Sequence, residues 1–317
     1  MMKEASAPAQ GASKYNAPDN FTTAGDPIRT FAAAIAQDTG ATVDPIGDGQ
    51  LHRFDCPEGK RGNRACWYVL HLDRWPAGAY GNWRTGITDT WRADHNREHD
   101  REQGARIAAA IDAARRQRER EQAQAQDNAA RRAQRLWSDA KPATAGHPYL
   151  ARKRIPALCL RQHGDCLLIP LRTVADELVN VQRIHPDGTK RFLKGGRIVG
   201  AFALFGCELP EEGELYIAEG WATAATIATT LRLPVVAAMN AGNLAPVAQA
   251  IRAARPGLAL TLAADDDHGT PGNPGMTKAA EAARLVQGAM TWPTTCRQEG
   301  CGCTDFNDVA NCGRAPR

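Results

Sequence analysis

No apolar run in this sequence approaches the ~18 to 20 residues needed to cross a bilayer, and MMKEASAPAQGASKYNAPDNFTTAG at the N-terminus has no hydrophobic core of the signal-peptide kind. The expectation is a cytoplasmic protein without a membrane partner. No CxxC pair occurs among the nine cysteines, so a zinc ribbon of the usual spacing is excluded and the odd count argues against a disulfide framework. No GxxxxGK[ST] occurs either, which excludes a P-loop motor within these residues. Neither sign of charge dominates: 39 Lys+Arg stand against 35 Asp+Glu, and a net +4 cannot by itself identify a nucleic-acid binder. What is there is a 317-residue chain, 43 % hydrophobic and 23 % charged, the composition of a globular protein of about two domains at ~150 residues each.

The texture changes along the chain. Residues 1–25 are aperiodic and read as a flexible tail. The stretch 26–92 reads as an N-terminal α+β module: Ile28, Phe31, Ala32 and Ile35 recur at helical spacing, followed by strand-like runs at 51–54, 66–72 and 78–83 separated by Gly, Pro and Asp. Residues 93–140 are rich in Ala, Arg, Gln and Glu and read as a long, mostly solvated helix or linker. Residues 141–211 carry HPYLARKRI, the apolar runs CLLIPLR and LVNVQRI, and the basic segment TKRFLKGGR. From 212 to 317 apolar strands alternate with helices of about ten residues, the pattern of a parallel sheet covered on both faces by right-handed crossovers.

In open parallel sheets functional groups collect at the carboxyl ends of the strands. Glu219 ends one strand, Asp265 and Asp267 end another, and Asp305 and Asp308 lie in TDFND after a further strand-like segment. Singly each acid could cap a helix or make a turn. Together they form an all-oxygen set whose mutual repulsion calls for a cation, Mg²⁺ or Mn²⁺ in preference to zinc.

These residues carry a resemblance. YIAEGWATAATI, LAADDDHG and TDFNDV, in that order, resemble the motifs of the Toprim domain, and most closely those of the Toprim primases of phages and plasmids. The upstream HPYLARKRI and LVNVQRIHPDGTKRFLKGG look like the basic half of such a primase core, so the resemblance covers roughly 141–317. It implies an α/β protein: a C-terminal Toprim domain with a parallel sheet flanked by helices, preceded by a basic mixed α+β subdomain, a long helix and a small, mainly-β N-terminal module. It also implies primer synthesis on single-stranded DNA from nucleoside triphosphates for a phage, plasmid or other mobile element, with a separate helicase as partner. Glu219, Asp265 and Asp267 become the catalytic, metal-holding carboxylates, with Asp305 and Asp308 in support. The chain departs from many cellular members at Thr223, where they place an aspartate four residues after the glutamate. No tyrosine nucleophile for topoisomerase chemistry can be pointed to: Tyr15, Tyr68, Tyr80, Tyr149 and Tyr216 read as tail, loop or strand residues.

Polymerisation also needs cations for triphosphate and template. The candidates are Arg152, Lys153, Arg154, Arg183, Lys190, Arg191, Lys194 and Arg197, with Lys278 on the helix after D-x-D. In the N-terminal module, Trp67, Tyr68, Trp83 and Trp91 interleave with Arg53 and Arg84, the mixture that stacks bases while neutralising phosphates, or else the core of a small domain. The GNWRTG stretch there is similar to one in the N-terminal modules of phage and plasmid Toprim primases, which implies template or initiation-site engagement. His52, Cys56, Cys66 and His71 lack zinc-ribbon spacing. Cys296, Cys301, Cys303 and Cys312 surround TDFND with four, one and eight residues between them, not a standard knuckle, and read as reduced thiols with zinc the less favoured account. The rivals to a primase are a Toprim nuclease using the same carboxylates and a non-catalytic single-strand-binding or helicase-associated module.

Overall fold

Two packed faces organise the N-terminal part of the chain. The computed structural model describes residues 26–72, 76–93, 100–206, 208–294 and 301–313; the expected tail at 1–25, with Arg74, Trp75 and Cys296, lies outside the described residues. Strands β1 (Asp48–Phe54), β2 (Cys66–His71), β3 (Ala77–Asn82) and β4 (Ile87–Arg92) pair antiparallel in sequence order. Strand β4 is not announced by the periodicity, because ITDTWR is exposed along nearly all its length. Helix α1 (Pro27–Thr39) begins where the Asp26 side chain accepts from the Ile28 N–H and ends at Gly40 in the left-handed region. It lays Phe31 and Ile35 on one face of the sheet, against Tyr68, Leu70 and Tyr80. The other face carries Trp67, Val69, Ala77 and Ala79, with Trp83 and Ile111 packed against them. Trp67 lies so close to β3 that a Cβ on Gly81 would sit 2.9 Å from its Nε1, which is why that position has no side chain.

The chain divides into two units, Met1–Glu119 and Arg120–Arg317. Helix α2 (Asp100–Asp139) runs through the division as one unbroken element, as its helix-forming composition dictates. The solvated-linker expectation is corrected for its second half: Ala129 and Ala133 are fully buried, and Ala133 packs with Leu178, Val181 and Leu193. Alanine permits that close approach, so burial here leaves no large apolar residue for a sequence reading to notice.

In the second unit, β5 (Lys141–Pro142), β6 (Arg161–His163), β7 (Cys166–Arg172), β8 (Leu178–Ile184) and β9 (Lys190–Phe192) make an antiparallel sheet in that order. HPYLARK folds as the short helix α3 (Pro148–Lys153), with the His147 side chain accepting from the Tyr149 N–H. Tyr149, read as extended or loop, is therefore helical and buried. The next sheet has the order β10-β12-β11-β13-β14, from β10 (Ala203–Phe205), β11 (Gly213–Ala218), β12 (Val235–Ala237), β13 (Leu258–Ala263) and β14 (Ala289–Thr291). All its pairs are parallel except β10 with β12, so the sheet is mixed where a parallel one is expected. Alternation sorts its side chains: Ala218, Val235 and Ala237 face α4 (Trp221–Leu231), while Leu215, Ile217, Leu260 and Leu262 face α5 (Leu244–Ala254) and α6 (Pro274–Val286).

The expected boundary at 211/212 is not a break in packing. Tyr149, Leu167, Ile169 and Leu171 share one core with Ala218, Trp221 and Val235, and the backbones of Arg172 and Phe202 pair between the sheets. Among the described residues no helix is long and apolar enough to cross a membrane.

Candidate active site

Two strands of the mixed sheet, β11 and β13, run from apolar sequence into acidic residues. Glu219 follows β11 and precedes α4, whose first residue is Trp221. The Asp265–Asp267 loop follows β13, and its Asp266 N–H donates to the Thr304 carbonyl at 2.7 Å. That bond ties the loop to the segment leading into α7 (Phe306–Asn311), whose N-cap is Asp305. Asp305 accepts from the Asp308 N–H at 2.7 Å. Five carboxylates thus come from two strand ends and one helix start, near enough for Asp265 to feel the other four.

Their charges show it. Asp265 is pushed up to about 8 by burial first, then by Glu219, Asp305, Asp267 and Asp308, and its Oδ1 is buried with no hydrogen-bond partner. Glu219 is raised by burial and by Asp267, against a backbone hydrogen bond from Ala241. Asp305 is raised by burial, against the Asp308 N–H. A buried carboxylate oxygen without a donor is costly unless something outside the protein meets it, so this donor set fits a hard divalent cation.

Asn273 holds the loop in shape. Its Oδ1 accepts from the Asp267 N–H at 2.9 Å and its Nδ2 donates to Asp266 Oδ1 at 2.7 Å, so the Asp266 side chain is engaged within the loop. The Gly275 N–H donates to Asp267 Oδ2 at 3.0 Å. A Cβ on Gly275 would meet the Asp265 carbonyl at 2.4 Å, so the first turn of α6 can sit under the loop only as glycine. The signal for both was the Asn-Pro-Gly start of α6, a helix-capping pattern.

Residues 214–315 match the family described as the Toprim domain. This part of the chain is a Toprim domain. Two relatives, both named DNA primase TraC, of Escherichia coli, are 36 % identical to the chain. One aligns over 301 residues, 87 % of this chain and 28 % of the relative; the other over 260 residues, 78 % and 18 %. The chain thus spans less than a third of either relative. Among solved structures, the primase fragment of the bacteriophage T7 primase-helicase protein is similar at 18 % identity and TM-score 0.40, covering 52 % of this chain and 70 % of that one.

Around the Toprim carboxylates the basic candidates divide. Lys153 Nζ pairs with Asp308 Oδ1 at 2.9 Å. Lys190 lies 5.9 Å from the Tyr149 ring; burial and Lys153 hold it below the usual lysine range, while Asp305, Asp265 and Glu219 pull it back. Arg152 donates to the Pro186 carbonyl at 3.3 Å and Arg183 leaves a buried Nε unmet. Arg154, Arg191, Lys194 and Arg197 are exposed. Lys278 pairs with Glu281 at 2.7 Å on the exposed face of α6, the arrangement of a solvated helix residue. Thr223 is buried in α4, so the Toprim domain has no outer carboxylate there.

Two site features escaped the sequence reading. The Tyr149 hydroxyl is buried without a partner, raised to about 12 by burial and by Asp305. Asn307 is buried and donates to the Lys153 carbonyl at 2.8 Å and to Thr226 Oγ1 at 2.9 Å, fastening α7 to α3 and α4. Of the cysteines noted around TDFND, Cys301, Cys303 and Cys312 converge.

The aromatic candidates for base stacking pack within the N-terminal unit. Trp67 and Tyr68 are buried on opposite faces of the meander. Trp83 stacks on Trp67 at 5.1 Å and carries the Arg118 guanidinium at 5.2 Å, so its neighbours already occupy it. Trp91 packs on Phe31 at 5.3 Å. Arg84 is exposed and paired with Glu58 at 3.2 Å, and Arg53 stands on β1. His52 bonds Asp48 at 2.9 Å, so it is engaged within its own strand.

Proposed function

We propose that this chain holds the catalytic centre of a primase that makes short primers on single-stranded DNA from nucleoside triphosphates, for replication of a phage, plasmid or other mobile element. The observation that carries the reading is Asp265, a half-buried carboxylate pushed up to about 8 by burial and then by four neighbouring acids, with a buried oxygen left unmet. The identity to proteins named DNA primase supports the same reaction.

Glu219, Asp265 and Asp267, with Asp305 and Asp308 behind them, would hold Mg²⁺ or Mn²⁺, which supplies neutralisation of the triphosphate and a cheaper 3′-oxyanion. The protein's part is to position. Asn273 and Gly275 fix the D-x-D loop, and Asn307 fixes the helix bearing Asp308. Lys190 offers a cation beside the carboxylates for an incoming triphosphate, while Lys153 balances Asp308. Arg152, Arg154, Arg183, Arg191, Lys194 and Arg197 are the proposed template and nucleotide contacts, joined in the N-terminal unit by Arg53 and Arg84 rather than by stacked aromatics. Lys278 is the weakest of the set, given its pairing with Glu281.

The test supplies single-stranded template, labelled ribonucleotides and deoxynucleotides, and Mg²⁺ or Mn²⁺. Primer synthesis that disappears in Asp265→Ala and Glu219→Ala is expected. Template degradation without product would assign a nuclease, and binding without either activity a non-catalytic module.

A further inference from the structure

The geometry points to a thiolate zinc site formed by Cys301, Cys303 and Cys312, separate from the oxygen-only centre, that clamps α7 and so fixes Asp305 and Asp308. The three sulfurs lie within 4.8 Å of one another, although eight residues and a helix separate Cys303 from Cys312. Cys301 Sγ is 3.8 Å from Cys312 Sγ and 3.2 Å from Cys303 Sγ. A zinc–sulfur bond of about 2.3 Å at tetrahedral angles sets sulfurs about 3.8 Å apart. The first distance already has that value, and a rotamer adjustment at Cys303 opens the second.

Placement gives the site its purpose. Helix α7 has only six residues, too few to hold itself. Cys303 lies just before its N-cap and bonds the Asp308 carbonyl at 3.6 Å, while Cys312 is its C-cap. One ion on these thiolates would join both ends of the helix. Three soft sulfurs select zinc over Mg²⁺, so the two sites would not compete for metal. On binding, each thiol loses its proton to solvent, and the fourth tetrahedral position falls to a ligand outside this trio.

The full chain, purified from zinc-supplemented culture and passed over a weak chelating resin, should retain about one zinc per chain by elemental mass spectrometry. Cobalt(II) added to the stripped chain should give the thiolate-to-cobalt charge-transfer band and the visible bands of a tetrahedral centre. Cys303→Ser and Cys312→Ser should each lose those bands, while Cys159→Ser, at an exposed cysteine elsewhere, keeps them. The wild-type cobalt spectrum decides the matter even if a variant fails to fold. Absence of stoichiometric metal and of cobalt–thiolate bands overturns the inference. So do bands that survive the Cys303→Ser/Cys312→Ser double variant, or a disulfide between two of the three in the native chain. Metal content and cobalt spectra are read without primer synthesis, which is assayed separately with Mg²⁺, so failure of the primase reading and failure of the zinc site are distinguishable.

Discussion

The carboxyl end of the Toprim sheet and the core of the N-terminal meander contain similar surprises for their size: buried groups of unusual character, acids in one and tryptophans in the other. They differ in how they are satisfied. Trp67 has Trp83 on one face and the sheet around it, and Trp83 has Arg118, so the rings are covered and only two neutral indole N–H groups go unmet. Asp265 has acids for neighbours and an oxygen that nothing meets. A neutral cluster whose rings cover one another is built for stability, while like charges left incomplete at a cost of several kcal/mol are built for something not in the chain.

Breaking the incomplete cluster should have the largest effect. Asp265→Asn keeps the shape and removes one charge, and primer synthesis should fall by about 10³-fold, the several kcal/mol that a misplaced cation costs. Stability should move the other way. With its folded value near 8 against an ordinary 3.8, Asp265 keeps its proton longer folded than unfolded, so the cation-free chain loses stability as pH rises from about 4 to 8. Urea midpoints in chelator should decline over that window in the wild type and decline less in Asp265→Asn, and Mg²⁺ should restore the wild type at the alkaline end only. A midpoint flat with pH would mean the acids are not in mutual reach.

Trp67→Ala should do the opposite: cost about 3 to 5 kcal/mol of stability to the N-terminal unit, read by its denaturation midpoint, with template affinity changed less than about twofold at a temperature where the variant is folded. Were Trp67 a stacking platform, its loss would weaken single-strand binding by about 1 to 3 kcal/mol. Trp67→Phe should keep most of the stability and all of the binding.

The same difference explains what could be read from the sequence. Glu219, Asp265, Asp267, Asp305 and Asp308 were legible because each marks an abrupt end to an apolar strand or opens a short helix, and a chemical need for several acids in one place filters out caps and turns. Strands β11 to β13 and helices α4 to α6 were legible because apolar strands and Ala-rich helices alternate there. Strand β10 went unassigned to that sheet because antiparallel pairing of a three-residue edge leaves no pattern. The docking of α2 through Ala129 and Ala133 was hidden since alanine is as much a helix former as a contact. The aromatic–arginine mixture was misleading for a related reason: composition tells that rings and guanidinium groups meet, as Trp83 and Arg118 do, but not whether a base could come between them. Tyr149 and Asn307 were invisible because their roles lie in pairings made across the fold.

The smallest expected effect separates two adjacent residues with the same charge. Both are exposed on β9, but Asp305, Asp265 and Glu219 act on Lys190, whereas the Arg191 guanidinium donates to the Lys190 carbonyl. Lys190→Ala should therefore raise the KM for nucleoside triphosphate about tenfold with little change in template affinity, because a cation beside the reacting phosphates is lost. Arg191→Ala should leave that KM alone, weaken template binding a fewfold and reduce the salt slope of log K by about one or less, as loss of a single phosphate contact requires. Fluorescence anisotropy over a salt series, set beside nucleotide titrations, reads both. If the two variants behave alike, the basic strand β9 acts as one diffuse surface, and the boundary between an incomplete catalytic cluster and a solvated face must be drawn inside the carboxylates themselves.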